Sequence, residues 1–179
     1  MPASAVRNPF SIAQLECGGG MLGICPLPGR GGSYAQDLSI LLGWNPSLVL
    51  SMTTLDEMTA SGAAKLTSDL GRNGVEWRHL PVADMAAQSP ALSEGWGVFS
   101  IHARRILGDG GRVLVHCMAG CGRSGMAVLR LMVEAGEAAD MALARLRGVR
   151  PCAVETTEQS RWATTGGSKS GSTDVRDVL

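Results

Sequence analysis

An apolar strand that runs directly into a glycine-rich loop and then a helix is the feature that most constrains this chain. Residues 112–116 (RVLVH) form a short apolar run that is typical of a buried strand. Residues 117–123 (CMAGCGR) predict a loop, and residues 124–135 predict a helix that ends at Gly136. A strand, a loop and a helix in direct succession favour an α/β fold.

The same alternation of strand and helix continues over most of the chain. Strands are predicted at residues 11–16, 21–25, 48–52, 75–80 and 112–116, and helices at 54–70, 93–107, 124–135 and 137–147. Thr54 with Glu57, and Thr156 with Gln159, have the spacing of capping boxes, and the second pair predicts a final helix. We therefore expect an α/β domain with a mainly parallel central sheet flanked by helices.

Length and composition favour a single domain. The chain has 179 residues, of which 45% are hydrophobic and 18% charged, so a disordered chain is excluded and one sizeable core is expected. We assign residues 1–165 to a single domain. Residues 166–179 are rich in Gly, Ser, Thr and Asp and predict a polar, flexible C-terminal tail.

The charge pattern argues against nucleic-acid and membrane partners. Sixteen Lys and Arg balance sixteen Asp and Glu, and only 4% of residues are aromatic, so neither a basic field nor a stacking platform is expected. The longest apolar stretch, residues 38–50, is interrupted and falls short of the roughly 20 residues of a membrane span. The N-terminus has no apolar signal-peptide region. These features predict a cytoplasmic protein, and they do not predict its oligomeric state.

The cysteines predict no metal site. The five cysteines are Cys17, Cys25, Cys117, Cys121 and Cys152. No CxxC pair is present, and the irregular spacing and adjacent arginine oppose a zinc site at His116, Cys117 and Cys121. In a reducing compartment we expect free cysteines, either reactive or buried, rather than bridged ones. An alternative is that Cys121 or Cys152 traps an oxidised Cys117 as a disulfide.

The loop after the strand at residues 112–116 has the chemistry of an anion site. Successive backbone N–H groups of a curled glycine-rich loop, together with the N-terminus of the next helix, form a cradle for an anion. Arg123 adds a planar fork of donors that suits phosphate. The same positive surroundings favour the thiolate form of a cysteine, here Cys117.

These residues match the signature HCx5R(S/T), and the chain resembles the cysteine-dependent protein tyrosine phosphatases, most closely the small dual-specificity branch. Residues 79–84 (HLPVAD) resemble the general-acid loop of that family, and residues 150–159 (RPCAVETTEQ) resemble its RPxxxETxxQ segment. Residues 22–29 (LGICPLPG) are similar to a segment of phosphatases related to the cyclin-dependent-kinase-associated phosphatase. The resemblance covers roughly residues 21–162 and implies the fold of that family.

The resemblance implies a catalytic set without metal or cofactor. Cys117 would attack phosphorus to form a phosphocysteine, and Asp84 would protonate the leaving oxygen and later help to activate water. The phosphate would be held by the backbone and side chain of the loop residues Met118, Ala119, Gly120, Cys121, Gly122 and Arg123. Ser124 would donate a hydrogen bond to the sulfur and ease its departure.

Two supporting roles are also implied, and each has a structural alternative. His116 would orient the loop backbone, and Gln159 would position the hydrolytic water. His116 is otherwise a core histidine, and Gln159 is otherwise the reciprocal partner of Thr156 in a capping box. Asp84, in a loop bounded by prolines, is alternatively a turn residue, and Ser124 is alternatively a helix N-cap.

The expected activity is hydrolysis of the phosphomonoesters of proteins, namely phosphotyrosine and phosphoserine or phosphothreonine. The chain lacks an evident insertion for tyrosine recognition, which predicts a shallow pocket. Met118 and Cys121 occupy places where phosphoinositide phosphatases often carry lysines. The alternatives are a phosphatase of a small phosphorylated metabolite, a non-catalytic phosphate-binding module, and a thiol-redox or arsenate-reducing protein.

Overall fold

The computed structural model describes residues 10–165, which form one five-stranded sheet covered by helices on both faces. The strands are β1 (Ala13–Cys17), β2 (Gly20–Pro26), β3 (Leu48–Ser51), β4 (Glu76–His79) and β5 (Arg112–Cys117), in the order β1-β2-β5-β3-β4. Only β1 and β2 pair antiparallel, whereas β2 with β5, β5 with β3, and β3 with β4 pair in parallel. The mainly parallel α/β fold predicted from the sequence is confirmed.

Seven helices lie within the described residues. They are α1 (Tyr34–Gly43), α2 (Leu55–Ala60), α3 (Leu66–Arg72), α4 (Pro90–Gly108), α5 (Gly122–Glu134), α6 (Ala139–Val149) and α7 (Thr157–Thr164). None of them has both the length and the apolar character that crossing a membrane requires. The predicted C-terminal tail at residues 166–179 lies outside the described residues, so its flexibility stays a prediction.

The core is divided into two layers by the sheet. Side chains of β5 alternate between the faces: Val113 and Val115 pack with α4 to α7, whereas Leu114 packs with α1 to α3. All three are fully buried. Because neighbouring residues of a strand point to opposite faces, a continuous apolar run such as RVLV marks a strand covered on both sides.

Two helical predictions differ from the structure. The single helix predicted over residues 54–70 is wrong, because α2 ends at Ala60 and α3 begins at Leu66. Gly62 lies between them at φ +74°, a conformation that interrupts a helix. The sequence pattern also does not predict α1, whose N-cap Ser33 makes no side-chain capping hydrogen bond.

The strand register brings the predicted loops together. Pro26 of β2 and Ser51 of β3 pair with Cys117 and His116 at the end of β5. The carboxyl ends of these parallel strands therefore lie at one edge of the sheet, and the segments that follow β3, β4 and β5 meet there. This edge is where ligands bind in open α/β sheets.

Candidate active site

The loop between β5 and α5 is held in a tight curl against the end of β2. Gly120 adopts φ +69°, and a Cβ atom there would lie 2.5 Å from the carbonyl carbon of Cys25. The backbone N–H of Leu27 donates to the Met118 carbonyl at 3.2 Å. A glycine is therefore required at residue 120, both for the left-handed backbone and for the close packing.

Cys117 places its sulfur against the first turn of α5. The Sγ atom lies 3.1 Å from the Ser124 hydroxyl oxygen, and Ser124 is fully buried. The cysteine is itself almost completely buried, with a relative exposure of 2%. Either atom can donate in this contact, and the N-terminus of α5 presents positive charge density to the sulfur.

Arg123 is buried and its guanidinium is shared among three partners. Nη1 donates to Glu57 Oε2 and to the Val82 carbonyl, both at 2.9 Å, and Nη2 donates to Glu57 Oε1 at 2.8 Å. Asp84 Oδ1 lies 3.3 Å from Nη2. Within residues 10–165 no group accepts a hydrogen bond from Nε. The Nε–H group is therefore the donor of the guanidinium that remains available to an anion, next to the Nη2 group that contacts Glu57 and Asp84.

Glu57 is a member of the site that the sequence analysis did not single out. Its carboxylate accepts from the backbone N–H of Thr54 at 2.8 Å, and its own N–H donates to Thr54 Oγ1 at 3.3 Å. The predicted capping box is thus present, and the same carboxylate also binds Arg123. The hydrogen bond from Arg123 lowers the pKa of Glu57, although partial burial acts in the opposite direction.

Asp84 is brought to the site by backbone pairing that continues beyond β3 and β4. The Leu80 N–H donates to the backbone carbonyl of Ser51 at 3.0 Å, and the Val82 N–H donates to the backbone carbonyl of Met52 at 3.1 Å. The Asp84 carboxylate is 72% exposed and accepts from the N–H of Met85 at 3.0 Å. It therefore lies beside Arg123 and opens to solvent, where the leaving group of a bound phosphate ester would project.

His116 is fully buried and faces β3. Its Nε2 lies 2.5 Å from Ser51 Oγ, which also accepts a 2.8 Å hydrogen bond from Trp77 Nε1. Because the indole N–H can only donate, the Ser51 hydroxyl hydrogen is free to point to His116. Burial lowers the pKa of His116 to about 4, although the backbone of Cys117 acts in the opposite direction. The ring is therefore neutral at physiological pH. Its contact with Ser51 joins the end of β5, directly before the loop, to β3.

Gln159 is fully buried. It lies in the first turn of α7, and its side chain is next to Gly122 at the start of α5. Its Oε1 accepts from the backbone N–H groups of Glu155 at 2.9 Å and Thr156 at 3.2 Å, so the predicted capping box is present. Its Nε2 donates to the Ala86 carbonyl at 3.2 Å. A Cβ built on Gly122 would lie 2.3 Å from Glu155 Oε2, so the Glu155 carboxylate also borders the loop.

Cys121 of the loop is joined to Cys152 by a disulfide, whereas Cys17, Cys25 and Cys117 are free. The expectation of free rather than bridged cysteines is therefore wrong for this pair, and the two candidate partners of Cys117 are bonded to each other.

The bond forms because the segment after α6 packs on the loop. Arg150 donates from Nε to the Gly120 carbonyl and from Nη2 to the Ala119 carbonyl, both at 2.8 Å. The two bonded cysteines then have a Cα–Cα distance of 5.1 Å, which is within the usual range of disulfides. Across residues 10–165, no three side chains among His, Cys, Asp and Glu are grouped so as to hold a metal ion.

The geometry agrees with comparisons to known proteins. The family model described as protein-tyrosine phosphatase matches residues 96–165, which include β5, the loop and α5 to α7. No curated protein sequence matches the chain significantly. Kinase-associated phosphatase, in a form whose catalytic-site cysteine is serine, aligns with a TM-score of 0.74 and 21% identity over 88% of this chain and 93% of its own.

Two further solved structures show the same architecture. Tk-PTP in its active form aligns with a TM-score of 0.66 and 25% identity over 83% of this chain and 92% of its own. PTPMT1, solved in complex with PI(5)P, aligns with a TM-score of 0.64 and 18% identity over 82% and 89%. Together with the loop between β5 and α5, the family match supports a protein-tyrosine-phosphatase-like domain over residues 96–165, and the aligned structures show a dual-specificity-like fold.

Proposed function

We propose that this phosphatase hydrolyses phosphotyrosine and phosphoserine or phosphothreonine in proteins through a phosphocysteine intermediate. The observation that carries the proposal is the convergence of three groups at the N-terminus of α5. They are the sulfur of Cys117, the guanidinium of Arg123, whose Nε–H has no acceptor within residues 10–165, and the exposed carboxylate of Asp84. A module that only binds phosphate needs neither the nucleophile nor the acid.

In the first step, the Cys117 thiolate attacks phosphorus and forms the S–P bond as the P–O bond to the leaving group breaks. The loop amides and the Nε and Nη2 groups of Arg123 hold the equatorial oxygens while charge shifts onto them. Asp84, protonated at this stage, donates its proton to the leaving oxygen, so that a neutral alcohol or phenol departs.

In the second step, water attacks phosphorus and the S–P bond breaks to give inorganic phosphate. The Asp84 carboxylate accepts the proton of the attacking water. The Ser124 hydroxyl, 3.1 Å from the sulfur, stabilises the thiolate that leaves. Gln159 and Glu155 border the loop at Gly122. We assign Gln159 to the positioning of this water.

The rim of the site supports a protein substrate. Leu55, 63% exposed, lies two residues before Glu57, and Met85, 51% exposed, follows Asp84. Both acidic residues contact Arg123, so these exposed apolar side chains belong to the two segments that border the phosphate site. An apolar rim suits the side chains of a phosphopeptide better than a polyanionic inositol headgroup. The loop itself also carries no lysine.

The Asp84→Asn variant is expected to turn over an unactivated phosphopeptide about 10²–10⁴-fold more slowly than the wild type. Asparagine keeps the shape of the side chain but has no acidic proton to give. Steady-state kcat should be measured on phosphotyrosine peptide and on an aryl phosphate whose phenol has a low pKa. The loss should shrink with the second substrate, because a good leaving group needs little protonation.

The control for this variant is Asp56→Asn, which removes an acid of the first turn of α2 with no contact to Arg123 among the described residues. Its kinetics should equal those of the wild type. An equal loss on both substrates would contradict the acid role of Asp84. A kcat/KM higher for a soluble phosphoinositide than for phosphopeptides would contradict the proposed protein substrate.

A further inference from the structure

A cleft of about 550 Å³ lies beside the phosphate loop and reaches the disulfide. Its walls come from the segment after β2, which supplies Arg30, from the loop residues Ala119 and Cys121, and from Arg150 and Cys152 after α6. The volume is in the range of small-molecule sites. Cys117 is not one of its lining residues.

The two sulfurs of the disulfide differ in accessibility. Cys152 is exposed, whereas Cys121 is 9% exposed and forms the N-cap of α5. A thiol that enters the cleft therefore meets Cys152 first. The sulfur of Cys121 is the better leaving group, because a helix N-terminus stabilises a thiolate.

The positive charge of the cleft favours an anionic ligand. Arg30 is exposed, and its side chain makes no hydrogen bond or ion pair with any residue in the 10–165 range. Arg150 contributes a second positive charge while it holds the loop carbonyls. Among the described residues, no Asp or Glu lines the cleft. Two arginines without a carboxylate raise the local concentration of anions.

We propose that the Cys121–Cys152 disulfide is an exchange site for a low-molecular-weight thiol that carries carboxylates, of the glutathione class. We further propose that its redox state controls the activity of the phosphate loop. This second part rests on the phosphatase function proposed above, whereas the exchange reaction does not.

The exchange takes two steps and consumes two thiols. The thiolate of the first attacks Cys152 Sγ, which forms a mixed disulfide and breaks the bond to Cys121; the released Cys121 sulfur takes up a proton. The thiolate of a second molecule attacks the sulfur of the first, which releases Cys152 as a thiol. The protein disulfide is reduced to two thiols, and the two small thiols are oxidised to their disulfide.

Reduction removes the covalent tie between the phosphate loop and the segment after α6. The Cys121 carbonyl still accepts from the N–H groups of Gly125 at 2.9 Å and Val154 at 3.2 Å, and Arg150 still binds the loop. The loop therefore keeps its fold but gains freedom. A misplacement of 1 Å costs about 10²-fold in rate, so we expect a smaller, reversible loss of about threefold to tenfold in kcat.

The exchange site is tested by the rate at which the disulfide is reduced, read by alkylation of new thiols and peptide mass spectrometry. Arg30→Gln should slow reduction by glutathione about threefold, as expected for one screened charge, and should slow reduction by 2-mercaptoethanol, whose thiolate carries no carboxylate, by less. Arg105→Gln, an exposed arginine of α4 outside the cleft, is the matched control. Equal glutathione rates in wild type and Arg30→Gln would overturn the anionic-thiol assignment.

The control of activity is tested by kcat in the oxidised and the reduced protein. Cys152→Ser should have the kcat of the reduced wild type and should not respond to reductant, whereas Cys17→Ala should respond as the wild type does. Full activity of Cys152→Ser in both conditions would overturn redox control. Absence of phosphatase activity in every variant would instead refute the proposed function and leave the thiol measurements standing as evidence for exchange.

Discussion

The Cys117→Ser variant is expected to lose turnover of phosphopeptides and aryl phosphates by at least about 10⁴-fold, the scale found when a catalytic nucleophile is removed. A serine hydroxyl stays protonated at neutral pH and is a far weaker nucleophile than a thiolate. The substitution is nearly isosteric, and Ser124 can still hydrogen-bond the new oxygen. Phosphate release measured at saturating substrate is the appropriate assay.

The same variant should still bind phosphopeptide, because the loop amides and Arg123 are unchanged. Isothermal titration would give its Kd, and acid quenching of the wild type during turnover should trap a phosphorylated Cys117 that the variant lacks. Cys17→Ala, which removes a buried thiol at the end of β1, should retain both turnover and the phosphoenzyme. Undiminished hydrolysis of an aryl phosphate by Cys117→Ser would contradict the mechanism.

The Arg123→Lys variant is expected to lose about 10²–10⁴-fold in kcat, because each donor aimed at the developing charge contributes about 10²–10³-fold. Lysine keeps the positive charge but has no planar fork. A single ammonium cannot bind Glu57 through two hydrogen bonds, reach the Val82 carbonyl and present two further donors to phosphate. The measurement is kcat and KM for the same peptide, together with Kd for inorganic phosphate.

Glu57→Gln provides the graded comparison for Arg123→Lys. It leaves the guanidinium in place, keeps an oxygen for one hydrogen bond and removes the charge of its partner, so the loss in kcat should be smaller than for Arg123→Lys. Circular dichroism and thermal unfolding separate this effect from weaker capping of α2. Turnover of Arg123→Lys within fivefold of the wild type would show that the fork is not required.

The part of the site that the sequence predicts lies on contiguous segments with strong local patterns. The apolar run RVLVH predicts a strand that is buried on both faces. The glycines after Cys117 predict a tight loop before α5. Parallel pairing of β5, β3 and β4 then places Asp84 at the same edge as Cys117 and Arg123. This could be inferred because the carboxyl ends of parallel strands coincide.

The part that the sequence does not predict depends on contacts between distant segments. Glu57 has a complete local explanation as the partner of Thr54 in a capping box, so nothing in the pattern indicates its second bond to Arg123. The Cys121–Cys152 bond depends on how the segment after α6 packs on the loop, which Arg150 determines. Spacing between cysteines carries no information about such packing.

The Val82 carbonyl and the Asp84 carboxylate are both attached to the guanidinium that receives the phosphate. The segment that carries the proposed proton donor is therefore bonded to the side chain that is proposed to bind the anion. In the proposed mechanism, an anion that shifted the guanidinium would also shift the Asp84 segment, so that binding of the phosphate and protonation of the ester oxygen would be coupled. Esters whose phosphate binds Arg123 poorly would thus lose both binding affinity and efficient protonation of the leaving oxygen.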